Sequence, residues 1–146
     1  MTTVDNDKTI SLDFELTHPP EKVWRALTDP TLLSRWLMAN DMDARLGAQF
    51  TFRLDPKLIN STPGGWDGIV NCEVLALEAC KRLQYTWNGG GVVTVVTWSL
   101  TPIPTGTRLS LEQSGTFPDH IPAFQGARRG WQHMVGQRLK ELLNDA

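Results

Sequence analysis

Hydrophobic and polar residues alternate strictly in several segments of this chain, and such alternation is typical of strands with one buried face. In residues 8–17, the side chains of Ile10, Leu12, Phe14 and Leu16 fall on one side and polar side chains fall on the other. The same pattern returns in residues 82–88, 92–101 and 107–114. We therefore expect four half-buried strands in these segments.

Two further strand segments are less regular. Residues 66–78 contain two competing hydrophobic phases, which can share one strand only if a β-bulge lies between them. Residues 42–54 are predicted to form a hairpin that turns near Leu46 and Gly47 and has an aromatic face on its second strand. Residues 55–65 contain proline and glycine breakers and are predicted to be a loop.

Helical periodicity is found in three places. Pro20 suits the first turn of a helix, where its missing N–H needs no partner, and apolar residues then recur at spacings of three and four. Asp29 before Pro30 predicts an N-cap, so a second short helix is expected to begin at once and to end near Trp36. From about His120 onward, a one-sided apolar stripe predicts a long closing helix.

The predicted order is one strand, two short helices, six strands in hairpins and one long helix. Short connections predict an antiparallel sheet, and the long helix must cover the apolar face of that sheet. The fold class is therefore α+β. The sequence has no internal repeat, so we expect a single domain over residues 1–146 with an ordered core of about residues 8–144.

Composition and charge narrow the possible partners. A chain of 146 residues can bury roughly 68–70% of its unfolded surface, which is enough for one core. A net charge of −2 and a pI near 5.9 argue against nucleic acid, which clustered basic residues bind. Because no apolar run approaches ~20 residues, we expect no membrane insertion. The polar N-terminus lacks a signal-peptide pattern, so Cys72 and Cys80 are expected to be free thiols in the cytoplasm.

Catalytic and metal-binding patterns are absent from the sequence. His18, His120 and His133 are scattered, and no serine or cysteine nucleophile pattern lies near them. No His/Cys cluster has metal-ligand spacing. Residues 89–91 are three glycines without a following Lys-Ser/Thr, so they are predicted to form a turn rather than a phosphate loop. We therefore assign no catalytic residue, no metal and no cofactor.

Several short motifs together resemble a known family. They are the run from Pro20 through Val23-Trp24-Arg25-Ala26-Leu27-Thr28-Asp29-Pro30 to Trp36, Gly47 before Phe50 and Phe52, Arg82-Leu83 with Tyr85-Thr86-Trp87, Gly106-Thr107-Arg108-Leu109 with Ser114-Gly115, and Gly130-Trp131. Their order and spacing resemble the family named for the activator of heat-shock-protein-90 ATPase, within the START-related (SRPBCC) helix-grip superfamily. The resemblance extends from about Ile10 to Leu143.

The resemblance implies a seven-stranded antiparallel sheet that curves around the C-terminal helix, with a cavity between them that holds apolar ligands in relatives. Six tryptophans and five phenylalanines fit an aromatic lining. An empty void of ~300 Å³ would cost about 7 kcal/mol at ~24 cal/mol per Å³, against a total stability of ~5–15 kcal/mol. Either aromatic side chains close this space, or a ligand or water occupies it.

The expected cavity residues come from the sheet, the long helix and the second short helix. They are Phe50, Phe52, Tyr85, Trp87, Trp98 and Leu111 from the sheet, Phe124, Trp131 and Val135 from the helix, and Trp36 with Met38 at the mouth. Gln113 is in phase with Leu111 and is expected to offer a polar group inside, and the Tyr85 hydroxyl needs a partner when buried.

Three functions remain open from the sequence. The first is a carrier or sensor that buries a small hydrophobic or aromatic ligand, which the aromatic face favours. The second is a protein-interaction module with a chaperone partner, as the family name suggests. The third is an enzyme that acts on a hydrophobic substrate in the same cavity through Tyr85 or Gln113. The ligand remains unidentified, and the protein could be a monomer or a homodimer.

Overall fold

A computed structural model of the protein describes residues 7–54, 67–118 and 123–145. The predicted loop at 55–65, Trp66 and His120 lie outside the described residues. The elements follow the predicted order. They are β1 (Asp7–Leu16), α1 (Pro20–Thr28), α2 (Pro30–Trp36), β2 (Ala39–Asn40), β3 (Gln49–Arg53), β4 (Ile69–Glu78), β5 (Arg82–Gly89), β6 (Val92–Ile103), β7 (Gly106–Thr116), α3 (Ala123–His133), a π-helical segment (Met134–Leu139) and α4 (Lys140–Asp145).

The seven strands form one antiparallel sheet in the order β1-β7-β6-β5-β4-β3-β2. Five of the six neighbouring pairs are consecutive in the chain. The sixth pair is β1 with β7, which pair along the whole length of β1 and place it at the edge of the sheet opposite β2. The helices lie on the apolar face of this sheet, and the buried residues of all layers form one core. The α+β fold class and the seven-stranded antiparallel sheet are confirmed.

The first strand and the two short helices follow the local signals. Ile10 and Leu16 are buried, while the intervening polar residues of β1 are exposed. Pro20 opens α1, and the Asp29 carboxylate accepts hydrogen bonds from the backbone N–H groups of Thr31 and Leu32 at the start of α2. These contacts satisfy donors that have no partner within the helix. The predicted N-cap is confirmed.

The hairpin before β3 differs from its prediction. The turn at Leu46-Gly47 is present, and Gly47 has φ of 80°. The first strand, however, is not formed from Met42 onward; it is the two-residue β2, which precedes Met42. The side chains explain this difference, because Asn40 Oδ1 accepts from the Met42 N–H and Asp41 Oδ1 accepts from the Thr51 N–H. The Asp41 N–H still donates to the Thr51 carbonyl, but the reciprocal backbone bond is replaced by the carboxylate.

The β-bulge expected in the long strand is confirmed. The pairing of β4 with β5 shifts in register between Val74 and Ala76. Before the shift, Val70 and Val74 are buried, and after it Leu77 packs against the core. The extra residue lets both hydrophobic phases contribute to one face, and it leaves Leu75 41% exposed on the other face.

The three C-terminal helical pieces continue one into the next, and we call them together the C-terminal helix. Its buried face carries Trp131, Val135 and Leu139, each four residues after the last. A π-turn is wider than an α-turn, so residues spaced by four remain on one face over the π-helical segment. Within that segment the helix backbone runs close to the sheet, since a Cβ added at Gly136 would lie 3.6 Å from the Phe14 ring.

No helix formed by the described residues is long and apolar enough to span a bilayer.

Candidate functional site

Seven aromatic side chains contact one another between the sheet and the C-terminal helix, and we call them the aromatic cluster. Its members are Trp36, Phe50, Phe52, Tyr85, Trp87, Trp98 and Trp131. They come from α2, β3, β5, β6 and α3. All seven were expected from the sequence to line a common space, and the fold brings them together.

The tryptophans of the cluster form a continuous row. Trp131 meets Trp98 edge-on, with ring centroids 5.4 Å apart, and meets Trp87 at 5.1 Å. Trp36 also meets Trp98, at a centroid distance of 6.0 Å and an interplanar angle of 80°. Such edge-to-face pairs contribute about 0.5–1.5 kcal/mol each beyond the burial of their area. The row therefore ties α2 and the C-terminal helix to the middle of the sheet.

The remaining rings extend the cluster across the sheet. Phe52 lies 5.1 Å from Trp87 and 6.1 Å from Tyr85, and Phe50 lies 5.3 Å from Tyr85. Six members of the cluster are buried, and Trp87 is the half-buried one. The rings occupy much of the space where a cavity is expected. This agrees with the alternative in which aromatic side chains close the space between the sheet and the helix. Trp87 is the ring through which the cluster meets solvent.

A chain of hydrogen bonds crosses the interior beside these rings. Trp131 Nε1–H donates to Gln113 Oε1 over 2.7 Å, and Gln113 Nε2 donates to Thr94 Oγ1 over 3.0 Å. Thr94 in turn donates to the Trp87 carbonyl over 2.8 Å. The indole nitrogen can only donate, so the amide orientation follows from chemistry. Gln113 faces inward as expected and is 1% exposed.

A second polar contact joins Tyr85 to Trp98. Trp98 Nε1–H donates to the Tyr85 hydroxyl oxygen over 2.9 Å, so the hydroxyl has the partner that its burial requires. Burial in this apolar surrounding raises the pKa of Tyr85 well above its usual value of 10.0. The phenol is therefore neutral at physiological pH. Its hydroxyl can donate a hydrogen bond, and burial disfavours its phenolate form.

The other expected cavity residues lie at various depths. Leu111 and Val135 are buried in the core, and Met38 is half-buried against it. Trp36 was expected at the mouth but is fully buried, and its indole N–H donates to the Ala26 carbonyl over 2.9 Å. Phe124 lies outside the ring contacts of the cluster and pairs instead with another phenylalanine at 5.3 Å.

Two interior residues were missed in reading the sequence. Thr94 is 3% exposed and links Gln113 to the β5 backbone. It lies two residues before Val96 in the alternating strand, so the period of two could have placed it inside. Phe117 is fully buried and is the partner of Phe124. It follows β7 and carries no periodic signal.

Concave surface also exists outside the cluster. A groove of about 410 Å³ lies between α1, α2 and α4, with Leu32, Leu142 and Leu143 among its apolar walls. A second groove, of about 370 Å³, lies over β3, β4 and β5 and has mostly polar walls, such as Asn71 and Thr86. The sequence did not predict either groove. Within the described ranges, no three His, Cys, Asp or Glu side chains come together to hold a metal.

A curved antiparallel sheet, two short helices after its first strand and a long helix across its inner face define a helix-grip protein of the SRPBCC type. A family model described as Activator of Hsp90 ATPase homolog 1-like protein matches residues 17–144, so the chain belongs to this family. The family resemblance inferred from the sequence is thereby confirmed. Among curated proteins, none matches the chain.

Solved structures of similar proteins share this fold. Protein MLL2253 from Mesorhizobium loti is 41% identical, with a TM-score of 0.83 over 95% of this chain and 98% of that one. Protein CV1439 from Chromobacterium violaceum is 28% identical, with a TM-score of 0.75 over 92% and 96%. Protein BH1534 from Bacillus halodurans is 25% identical, with a TM-score of 0.73 over 93% and 96%.

Proposed function

We propose that this protein binds a small hydrophobic or aromatic molecule between the sheet and the C-terminal helix, as a carrier or sensor. The observation that carries the proposal is the buried chain of hydrogen bonds from Trp131 through Gln113 to Thr94 beside the aromatic cluster. A purely structural core is most simply filled by apolar side chains, because each buried polar group must be fully paired. A ligand with one polar atom can take the place of one partner in such a hydrogen bond.

The exposure of the cluster supports an entrance beside Trp87. This ring is half-buried, and it separates solvent from Phe52 and Trp131, the two rings that it contacts. A planar ligand that took its place would meet the same two rings. Entry would then require a rotation of one side chain and no opening of the sheet.

The C-terminal helix supports the same proposal. The π-helical segment Met134–Leu139 begins three residues after Trp131. Single π-turns inside α-helices are uncommon and are found frequently at functional sites. Here the segment carries Val135 and Leu139 into the core, so a change in its winding would move the helical wall of the cluster.

The other two functions that the sequence left open receive less support. Catalysis would require a reactive group, and burial raises the pKa of Tyr85, which disfavours the phenolate that could act as a base or nucleophile. The family description names an activator of a chaperone ATPase, but no surface of the described residues selects a chaperone as the partner. Ligand binding is the function that the interior geometry favours.

Titration with a panel of fatty acids, flavonoids and naphthalene derivatives, followed by tryptophan fluorescence, tests the proposal. We expect saturable quenching by at least one class. If a ligand displaces Trp87, the Trp87→Ala variant should bind it about tenfold more tightly, because the two ring contacts are no longer broken on binding.

The control is Val93→Ala, which removes an exposed side chain from the neighbouring strand and should leave the affinity unchanged. Absence of saturation with every class, for wild type and Trp87→Ala alike, would contradict the proposal.

A further inference from the structure

The hydroxyl group of Tyr85 accepts a hydrogen bond but donates none within the described residues. Its oxygen accepts the Trp98 indole N–H, yet no residue within 7–54, 67–118 or 123–145 accepts the hydroxyl's own proton. The side chain is 1% exposed. A phenol both donates and accepts, and a buried donor without an acceptor is unfavourable.

Gln113 leaves a donor of the same kind. Its amide nitrogen has two hydrogens, and one is donated to Thr94, while its oxygen accepts from Trp131. Within the described part of the chain, the second hydrogen has no acceptor. The polar groups of the interior therefore have donors to spare, and their principal acceptor atoms are already engaged by the two indoles.

The lack of a buried cation among the described residues limits which acceptors these donors can bind. The buried polar residues of the described chain are Thr94, Thr107 and Gln113, and none of them is a cation. A carboxylate brought into this interior would lack a counter-charge and would lose its hydration. A neutral oxygen acceptor, by contrast, needs only one or two N–H or O–H donors.

We propose that the ligand of this interior is a neutral aromatic carbonyl compound whose oxygen accepts a hydrogen bond from the Tyr85 hydroxyl. This inference rests on the proposed function. Tyr85 lies two residues before Trp87 on the same face of β5, about 6.6 Å deeper along the strand. A ring that replaces Trp87 can therefore bring a carbonyl substituent to Tyr85.

A pair of probes with the same shape tests the inference. 2-Acetylnaphthalene carries the acceptor, and 2-isopropenylnaphthalene replaces its C=O with C=CH2. The ratio of the two dissociation constants is measured for wild type and for Tyr85→Phe. Taking the ratio cancels the difference in hydration of the two probes. We expect the preference for the acetyl probe to fall about fivefold to tenfold in Tyr85→Phe.

The control variant is Thr97→Val. It removes a hydroxyl that accepts from Gln84, away from the aromatic cluster, and it should leave the ratio unchanged. Failure of both probes to bind wild type would overturn the carbonyl inference, and it would contradict the proposed function as well if no other class of the ligand panel saturates the protein. Binding of both with the same ratio in wild type and Tyr85→Phe would overturn the carbonyl inference and leave the proposed function standing.

A measurement on wild type avoids dependence on the folding of a variant. Tyr85 is the one tyrosine in the sequence, so the tyrosine doublet in the Raman spectrum reports its hydroxyl alone. We expect the doublet to change from the pattern of a hydroxyl that only accepts to that of a hydroxyl that both accepts and donates on saturation with 2-acetylnaphthalene. A donor pattern already present without the probe, or no change at saturation, would overturn the inference.

Discussion

Trp131 and Gln113 join the C-terminal helix to β7 by a hydrogen bond of 2.7 Å, between two side chains that are each at most 2% exposed. The amide oxygen is thereby committed to the helix, and the amide nitrogen is committed to Thr94 on β6. One residue thus links the helix to two strands. The pairing of the helix with the sheet depends on polar contacts as well as on ring packing.

Replacing this amide should destabilise the fold measurably. In Gln113→Met, a side chain of similar length leaves the Trp131 indole N–H without its acceptor. We expect the free energy of unfolding to fall by roughly 1–3 kcal/mol, since a buried donor loses its partner. Denaturant unfolding followed by circular dichroism measures the change. Gln84→Met is the matched control, because Gln84 also donates to a threonine across a strand pair but is only half-buried. An equal loss in both variants would contradict the role assigned to Gln113.

Local chemistry explains why much of the fold could be predicted. The Asp29 cap depends on neighbours two and three residues away, so it is legible in the sequence. The bulge between Val74 and Ala76 could also be predicted from the sequence, because two hydrophobic phases can share one face only if a bulge lies between them. The inward orientation of Gln113 followed from the period of two.

Features that depend on distant contacts were not predictable. The π-helical segment was not predicted, and neither was the approach of its Gly136 to Phe14, which is far away in the sequence. The shortness of β2 arises because Asp41 bonds to Thr51, ten residues later. Trp36 proved deeper than expected, since its depth depends on how α2 packs against α1. The ligand chemistry that we propose was not predictable either, because it depends on which of the buried donors lack an acceptor.

The two cysteines should differ in reactivity. Burial, with a smaller contribution from the Asp41 carboxylate, raises the pKa of the Cys72 thiol from 9.0 to about 12. The thiolate is the reactive form, so Cys72 should resist alkylation at pH 8 in the folded protein. We expect iodoacetamide to modify one thiol per chain, at the half-buried Cys80, and both thiols in denaturant. Rapid modification of Cys72 in folded Cys80→Ser, measured by mass spectrometry, would contradict its burial.

Alkaline pH should destabilise the protein through Tyr85. Burial raises the pKa of this phenol above 10.0, so the folded state keeps its proton where the unfolded state releases it. The contribution of the protonated phenol to the free energy of unfolding is therefore fully present below pH 10 and declines as the pH rises further. Ultraviolet titration of this one tyrosine should show ionisation only together with unfolding. In Tyr85→Phe, the decline of stability above pH 10 should be shallower; an unchanged slope would contradict the assignment.

The central claim, that the aromatic cluster receives a small apolar molecule, is tested most directly by the indole N–H signals of the six tryptophans. Their nuclear magnetic resonances are assigned by single Trp→Phe replacements and followed during titration with 2-isopropenylnaphthalene. We predict saturable shifts of the Trp87 and Trp131 signals with one common dissociation constant, while the Trp24 signal from α1, outside the cluster, stays unchanged. Shifts confined to Trp24, or no saturable shift at Trp87 and Trp131, would contradict the account.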